Sequence, residues 1–182
     1  MTKNIKSFLR DNFLLFVIYS VIGWIYEVFL EVVIYRWGYS DRGVLTGPYC
    51  PVYGIGALIF LFLFYRKIKN MTFSDRIKKI PVVFLGCAVS ATLTELITSY
   101  ICEYFIGSWP WQTYINYNIN FQGRIALSPS IRFGIGGVIF LYIFQPCFDK
   151  LLGKISDKIK NELFFIVFTL FLTDFIGLLI GL

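Results

Sequence analysis

The 182-residue sequence contains no histidine and no Cys-x-x-Cys pair, so the usual ligand sets for zinc and haem are absent. Its four cysteines are Cys50, Cys87, Cys102 and Cys147. Cys87 and Cys102 fall inside one apolar stretch and Cys147 at the end of another, so no external disulfide framework is expected. Charge is scarce as well, at 15% of residues against about 25% in average soluble domains. There is no phosphate-binding loop of the GxxxxGK[ST] kind, no GxSxG and no HExxH. The chain therefore carries no ATPase motif of its own and none of the common hydrolase signatures. The sequence favours a non-enzyme without metal or cofactor.

What the sequence has in abundance is apolar surface, 57% of residues. Lys and Arg outnumber Asp and Glu by 17 to 11, but the basic residues form short clusters between long apolar runs. That arrangement fits an oriented membrane protein, not a nucleic-acid binder. A helix needs about 20 mainly apolar residues to cross the hydrocarbon core. Five stretches qualify: 13–35, 48–65, 81–106, 129–148 and 163–182. The second is drawn from Pro48 because proline is tolerated at a helix start. The first follows Lys3, Lys6 and Arg10 as a signal peptide would, yet it is too long and lacks a small-residue cleavage site. It is expected to stay as a signal anchor. The predicted fold is an all-α integral membrane protein, a bundle of about five transmembrane helices forming a single membrane domain over residues 1–182.

Charge asymmetry predicts the orientation. Lys3, Lys6 and Arg10, then Arg66, Lys67, Lys69, Arg76, Lys78 and Lys79, then Lys150, Lys154, Lys158 and Lys160 lie on one side of a five-span chain. These are 13 of the 17 basic residues. By the positive-inside rule that side is cytoplasmic, which places the N-terminus inside, the C-terminus outside and the chain in the cell membrane. The longest external segment, 107–128, holds Trp109, Trp111, Tyr114, Tyr117 and Phe121 among Asn116, Asn118 and Asn120. Aromatics at that density suit the headgroup zone, so an interfacial or re-entrant segment is expected between helices three and four.

Five of the eleven acids fall inside the spans: Glu27 and Glu31 in the first, Glu95 and Glu103 in the third, Asp174 in the fifth. Each central acid costs about 2.5–3.5 kcal/mol to insert, so it is expected to face protein or water. Glu27 and Glu31 share a helical face that Ser20, Gly23 and Trp24 extend. Thr94, Glu95, Thr98, Ser99, Cys102 and Glu103 form a second polar stripe. All five acids lie in the outer half of the bilayer, at the same end as Arg42, Arg124 and Arg132. The inferred feature is a polar cavity opening outward, lined by acids and closed by arginines. Ion pairs or backbone hydrogen bonds with a purely structural role would use the same residues. Gly134, Gly136 and Gly137, and the Gly177/Gly181 pair, read as close helix packing.

Two blocks carry a family resemblance. The first is Tyr19-Ser20-x-x-Gly23-Trp24-x-x-Glu27. The second runs Arg42-Gly43-Val44-Leu45-Thr46-Gly47-Pro48-Tyr49-Cys50-Pro51-Val52-Tyr53-Gly54. A glutamate in the third span (Glu95) and Asn120-x-x-Gly123-Arg124-Ile125 complete the pattern. The sequence resembles the bacterial CmpB-like family, ABC-transporter type IV permeases, over about residues 13–150. Members often carry Trp-Asp-Tyr-Ser ahead of the Asn-x-x-Gly-Arg block. Here Trp111-Gln112-Thr113-Tyr114 stands instead, so no role can be carried over to that missing acid.

The resemblance implies a membrane component of a transporter, and any ATP-driven function would need a separate ATPase. The candidate substrate-binding or cavity residues are Glu27, Glu95, Arg42, Arg124, Trp24, Asn120 and Asp174. Acids outnumber arginines within the spans, which favours a cationic or zwitterionic solute or proton coupling. Two other classes fit the same residues: a membrane-embedded enzyme acting on a lipid or its headgroup, and a non-catalytic assembly subunit. The expected partners are the lipid bilayer and either an ATPase or further copies of the chain.

Overall fold

The computed structural model describes residues 5–40, 43 and 45–180. Among the described residues five helices are long and apolar enough to cross a membrane: α1 (Ile5–Tyr35), α2 (Pro51–Ile68), α4 (Ile80–Ile106), α5 (Leu127–Lys154) and α6 (Asp157–Ile180). A short helix, α3 (Phe73–Lys78), lies between α2 and α4. Between α4 and α5 come a 3-10 turn over Gln112–Asn116 and a two-stranded ribbon, β1 (Asn120–Phe121) with β2 (Ile125–Ala126). The chain is an all-α membrane protein, as its long apolar runs predict.

Local chemistry fixes most helix ends. α1 stops where Arg36 turns left-handed and the N–H groups of Arg36 and Trp37 both donate to the Glu31 carbonyl. α4 starts with Pro81 in its first turn and ends at Gly107, φ +80°, whose N–H caps Glu103. Glycine tolerates that left-handed position without a side-chain clash. Thr72 caps α3, receiving the Asp75 N–H and donating its hydroxyl to the Asp75 carboxylate. α2 begins at Pro51, three residues later than the expected start at Pro48. The intervening residues are held in a turn, with the Cys50 N–H donating to the Ser20 carbonyl of α1 at 2.9 Å. The last stretch of α1 (Leu30–Tyr35) and internal stretches of α2 (Leu61–Tyr65) and α5 (Phe140–Phe144) are π-helical.

The chain divides into two compact units, one containing the residues up to Ile55 and those from Gly153 on, the other Gly56–Leu152. In the first, α1 packs against α6 and the start of α2. Gly54 sits directly against Ser20 and Phe16, where a Cβ would overlap both. Phe13 meets Phe164, Phe168 and Phe171 edge to face. The buried Arg10 ties α1 to the start of α6, bonding Asp157 at 2.7 Å and Asn161 at 2.6 Å. In the second unit, α4 and α5 form the main helix pair. Thr92 donates across it to Ser130 at 2.6 Å.

Lipid tails are as apolar as leucine, so helices in a bilayer associate by close packing and hydrogen bonds instead of hydrophobic transfer. The glycines of α5 show this. A Cβ on Gly137 would stand 2.6 Å from the Cβ and Sγ of Cys87 and 3.0 Å from Phe60, and one on Gly134 would stand 2.6 Å from Phe84. Gly136, between them, faces open space. Gly137→Ala should therefore destabilise the protein by about 1–3 kcal/mol through overpacking. Gly136→Ala should change stability by no more than about 0.5 kcal/mol. Thermal unfolding of the two variants in detergent checks the contrast. Gly177 also faces open space, and Gly181 lies outside the described residues.

α6 contains no buried residue, and large apolar side chains are exposed along α1, α4 and α6. In water such continuous apolar surface would drive aggregation. Surrounded by hydrocarbon it is the solvated face of a spanning helix, whose backbone is satisfied internally.

Candidate functional site

In the second unit, Glu95, Ser99 and Glu103 recur every four residues along α4 and so share one face. Glu95 is 5% exposed and Ser99 wholly buried, while the Glu103 side chain is 45% exposed. The chain leaving Gly107 folds back along this face. Tyr114, in the 3-10 turn, donates its hydroxyl to the Glu95 carboxylate at 2.7 Å. Arg124 pairs with Glu103 and donates to Ser99 at 3.3 Å. Its guanidinium lies 4.1 Å from the ring centres of both Tyr100 and Trp109. A planar cation held between aromatic faces and against a carboxylate is a strong, geometrically specific anchor.

The Asn-x-x-Gly-Arg block acquires a physical reason here. Asn120 donates to the Tyr117 carbonyl at 2.7 Å and accepts the Gly123 N–H at 3.0 Å. Gln122 (φ 54°) and Gly123 (φ 65°) form the turn between the two short strands. Positive φ at both central positions matches the right-handed twist of a ribbon. The turn delivers Arg124 to its aromatic cage, and Trp109 and Trp111 then donate their indole N–H groups to the carbonyls of Gly123 and Arg124. Asn120 shapes this turn and Arg124 locks it down.

In the first unit, Glu27 accepts the hydroxyl of Tyr53, and Trp24 lies half-buried one turn earlier on α1. Glu31 is buried and accepts the Ser40 hydroxyl at 2.7 Å. Asp174 receives four donors from one turn: the N–H and hydroxyl of Thr46, the N–H of Gly47 and the hydroxyl of Tyr49. Tyr49 lies just ahead of α2. Burial, with the Asp174 carboxylate beside it, pushes its phenol well above the usual range. The phenol therefore stays a donor through neutral pH. Its contribution is present below its ordinary value of about 10 and is lost only as pH rises through the raised one.

Of the seven residues expected to line a cavity, Glu27, Trp24 and Asp174 belong to the first unit, and Glu95, Asn120 and Arg124 to the second. Arg42 lies outside the described residues. Two hollows, ≈340 and ≈270 Å³, flank the ribbon; Asn120 borders the smaller, and no in-span acid lines either. Among the described residues no cluster of three His, Cys, Asp or Glu side chains could hold a metal. The residues that sequence reasoning passed over are the hydroxyl donors: Tyr53, Tyr49, Thr46 and Tyr114. Tyr49 and Tyr53 stand four apart in the Pro48-Tyr49-Cys50-Pro51-Val52-Tyr53 stretch. That spacing, in a block facing in-span acids, was the signal available.

The family model for "Putative ABC-transporter type IV" matches residues 14–178. The chain belongs to this family. The match takes in both units, all five spans and every block described above. It makes the chain an ABC-transporter-related membrane protein. No curated protein and no solved structure matches the chain.

Proposed function

We propose that this family member is the permease subunit of an ABC-type transporter, driven by a separate ATPase and admitting a small cationic or zwitterionic solute from the external side of the cell membrane. The observation that carries the reading is the bond between Tyr114 and Glu95. Glu95 stands eleven residues before the end of α4, about 16 Å along the helix axis at the standard rise. On the topology given by the lysine clusters, the 107–128 segment thus enters the outer half of the bilayer and covers a buried acid near the midplane. Irregular backbone at that depth is tolerated only against protein or water.

A carboxylate there is suited to receive a cation once Tyr114 withdraws. The Arg124 cage fixes the base of the segment, so that its Tyr114 end can move while its root stays in place. The test is purification from the native membrane in mild detergent, with solute uptake measured in cells lacking the gene. The reading expects a co-purifying ATPase and an uptake defect reversed by the wild-type chain. A chain that purifies without an ATPase, and whose loss leaves the uptake of small cations unchanged, would contradict it.

A further inference from the structure

The turn around Thr46–Tyr49 meets Asp174 with two donors for each carboxylate oxygen. One oxygen takes the Thr46 N–H at 3.1 Å and the Thr46 hydroxyl at 2.5 Å, and the other takes the Gly47 N–H at 2.9 Å and the Tyr49 hydroxyl. None of these donors is a charged side chain. Successive backbone N–H groups with flanking hydroxyls form the kind of concavity that binds anions generally, and nothing in it is particular to an aspartate.

Contacts other than those to Asp174 also hold this turn. Leu45 and Cys50 bury its two ends, and Cys50 is tied to the Ser20 carbonyl. The Tyr49 N–H closes onto the Gly47 carbonyl at 2.7 Å, and the Tyr49 ring fills the space where a Cβ on Gly47 would stand. The occupant arrives on α6, a helix with no buried residue. Its neighbouring contact at this level is Phe171 against Tyr49, with ring centres 5.5 Å apart. The turn is braced by its own contacts, and the carboxylate reaches it from α6.

We infer that the Thr46–Tyr49 turn is a binding site for a two-oxygen anionic group, the carboxylate or phosphate of a solute or a lipid headgroup, which Asp174 occupies in cis. A tethered occupant competes with a free one. The apparent affinity for an external anion falls by the fraction of time the cradle stands empty. Removing the Asp174 carboxylate opens the site. This goes beyond the transport reading, and its test needs neither ATPase nor uptake, so either can fail alone.

The experiment is thermal unfolding of the full chain in dodecyl maltoside, whose headgroup carries no phosphate, titrated with formate and, separately, with inorganic phosphate. Asp174→Ala should unfold at a lower temperature than wild type, and formate or phosphate should raise it saturably toward the wild-type value. Wild type should need at least about tenfold more anion for any shift. Adding Thr46→Val to Asp174→Ala removes one of the four donors and should weaken the response. Repeating the titration in phosphatidylglycerol nanodiscs distinguishes the sources. If lipid phosphate fills the cradle, Asp174→Ala is already stabilised there and formate adds nothing. If a solute fills it, the two media behave alike, and both results support the site. Should Asp174→Ala fail to fold, Asp174→Asn takes the same titration. An unfolding temperature that no anion moves in the detergent, or an equal response from the Thr46→Val double variant, overturns the proposal.

Discussion

Arg124→Ala is expected to lower stability by about 2–4 kcal/mol and to release the segment between α4 and α5. Breaking a fully buried ion pair by removing one partner costs roughly 3–5 kcal/mol. Glu103 is 45% exposed, so water recovers part of that loss. Two cation–π contacts, each worth about 0.5–2 kcal/mol, and the bond to Ser99 are lost with the pair. Arg124→Lys should recover little. An ammonium cannot fill a planar slot between Tyr100 and Trp109 while still reaching Glu103 and Ser99. The measurements are thermal unfolding and tryptophan emission, which should shift to the red as Trp109 and Trp111 lose their carbonyl partners. Unchanged emission together with unchanged stability would mean that the cage does not hold the segment.

The second large effect is on activity. Glu95→Gln preserves size and can still accept the Tyr114 hydroxyl, so the protein should fold and reach the membrane. It can no longer carry a charge, however. Removing one partner of a buried charged contact costs about 2–5 kcal/mol, equivalent to roughly 30-fold to several-thousand-fold in affinity at 1.4 kcal/mol per decade. Uptake of a cationic solute should fall to background while expression stays at the wild-type level. Tyr114→Phe should behave differently. It removes a hydrogen bond worth about 1–3 kcal/mol at a buried acceptor and leaves the charge, so it loosens the cover without abolishing binding. Wild-type uptake by Glu95→Gln would remove Glu95 from the transport path.

Much of this was legible in the sequence, for identifiable reasons. Spans follow from apolar run length, and the five long helices carry their acids where the runs placed them. The helix ends were less accurate. α1 begins at Ile5, well ahead of the apolar stretch, because polar residues such as Ser7 and Asn12 continue a helix that has already formed. The start of α2 shifted from Pro48 to Pro51 because residues 46–50 are committed to the turn that meets Asp174. Either proline could have opened the helix; a contact more than 120 residues away decided which one did.

The acids were visible as anomalies, but their partners were not. Tyrosine and threonine in an apolar chain carry no marker of what they bond. The Asn-x-x-Gly-Arg block could be read as a pattern, yet only the fold shows why each residue is needed. Asn120 holds the turn, Gly123 supplies its positive φ, and Arg124 enters the cage. The folding-back of the 107–128 segment depends on pairs such as Tyr114 with Glu95, which no local propensity encodes.

The central claim is that Tyr114 covers a buried acid reached from the external side. The most direct measurement uses Ser99→Cys, on the same face of α4 one turn nearer the helix end, with the four native cysteines replaced. Labelling by a membrane-impermeant cationic thiol reagent is followed in intact cells and in inside-out vesicles, with and without Tyr114→Phe. The account predicts slow labelling from outside that accelerates when the Tyr114 hydroxyl is removed. Labelling only from the cytoplasmic side, or an external rate indifferent to Tyr114→Phe, would contradict it.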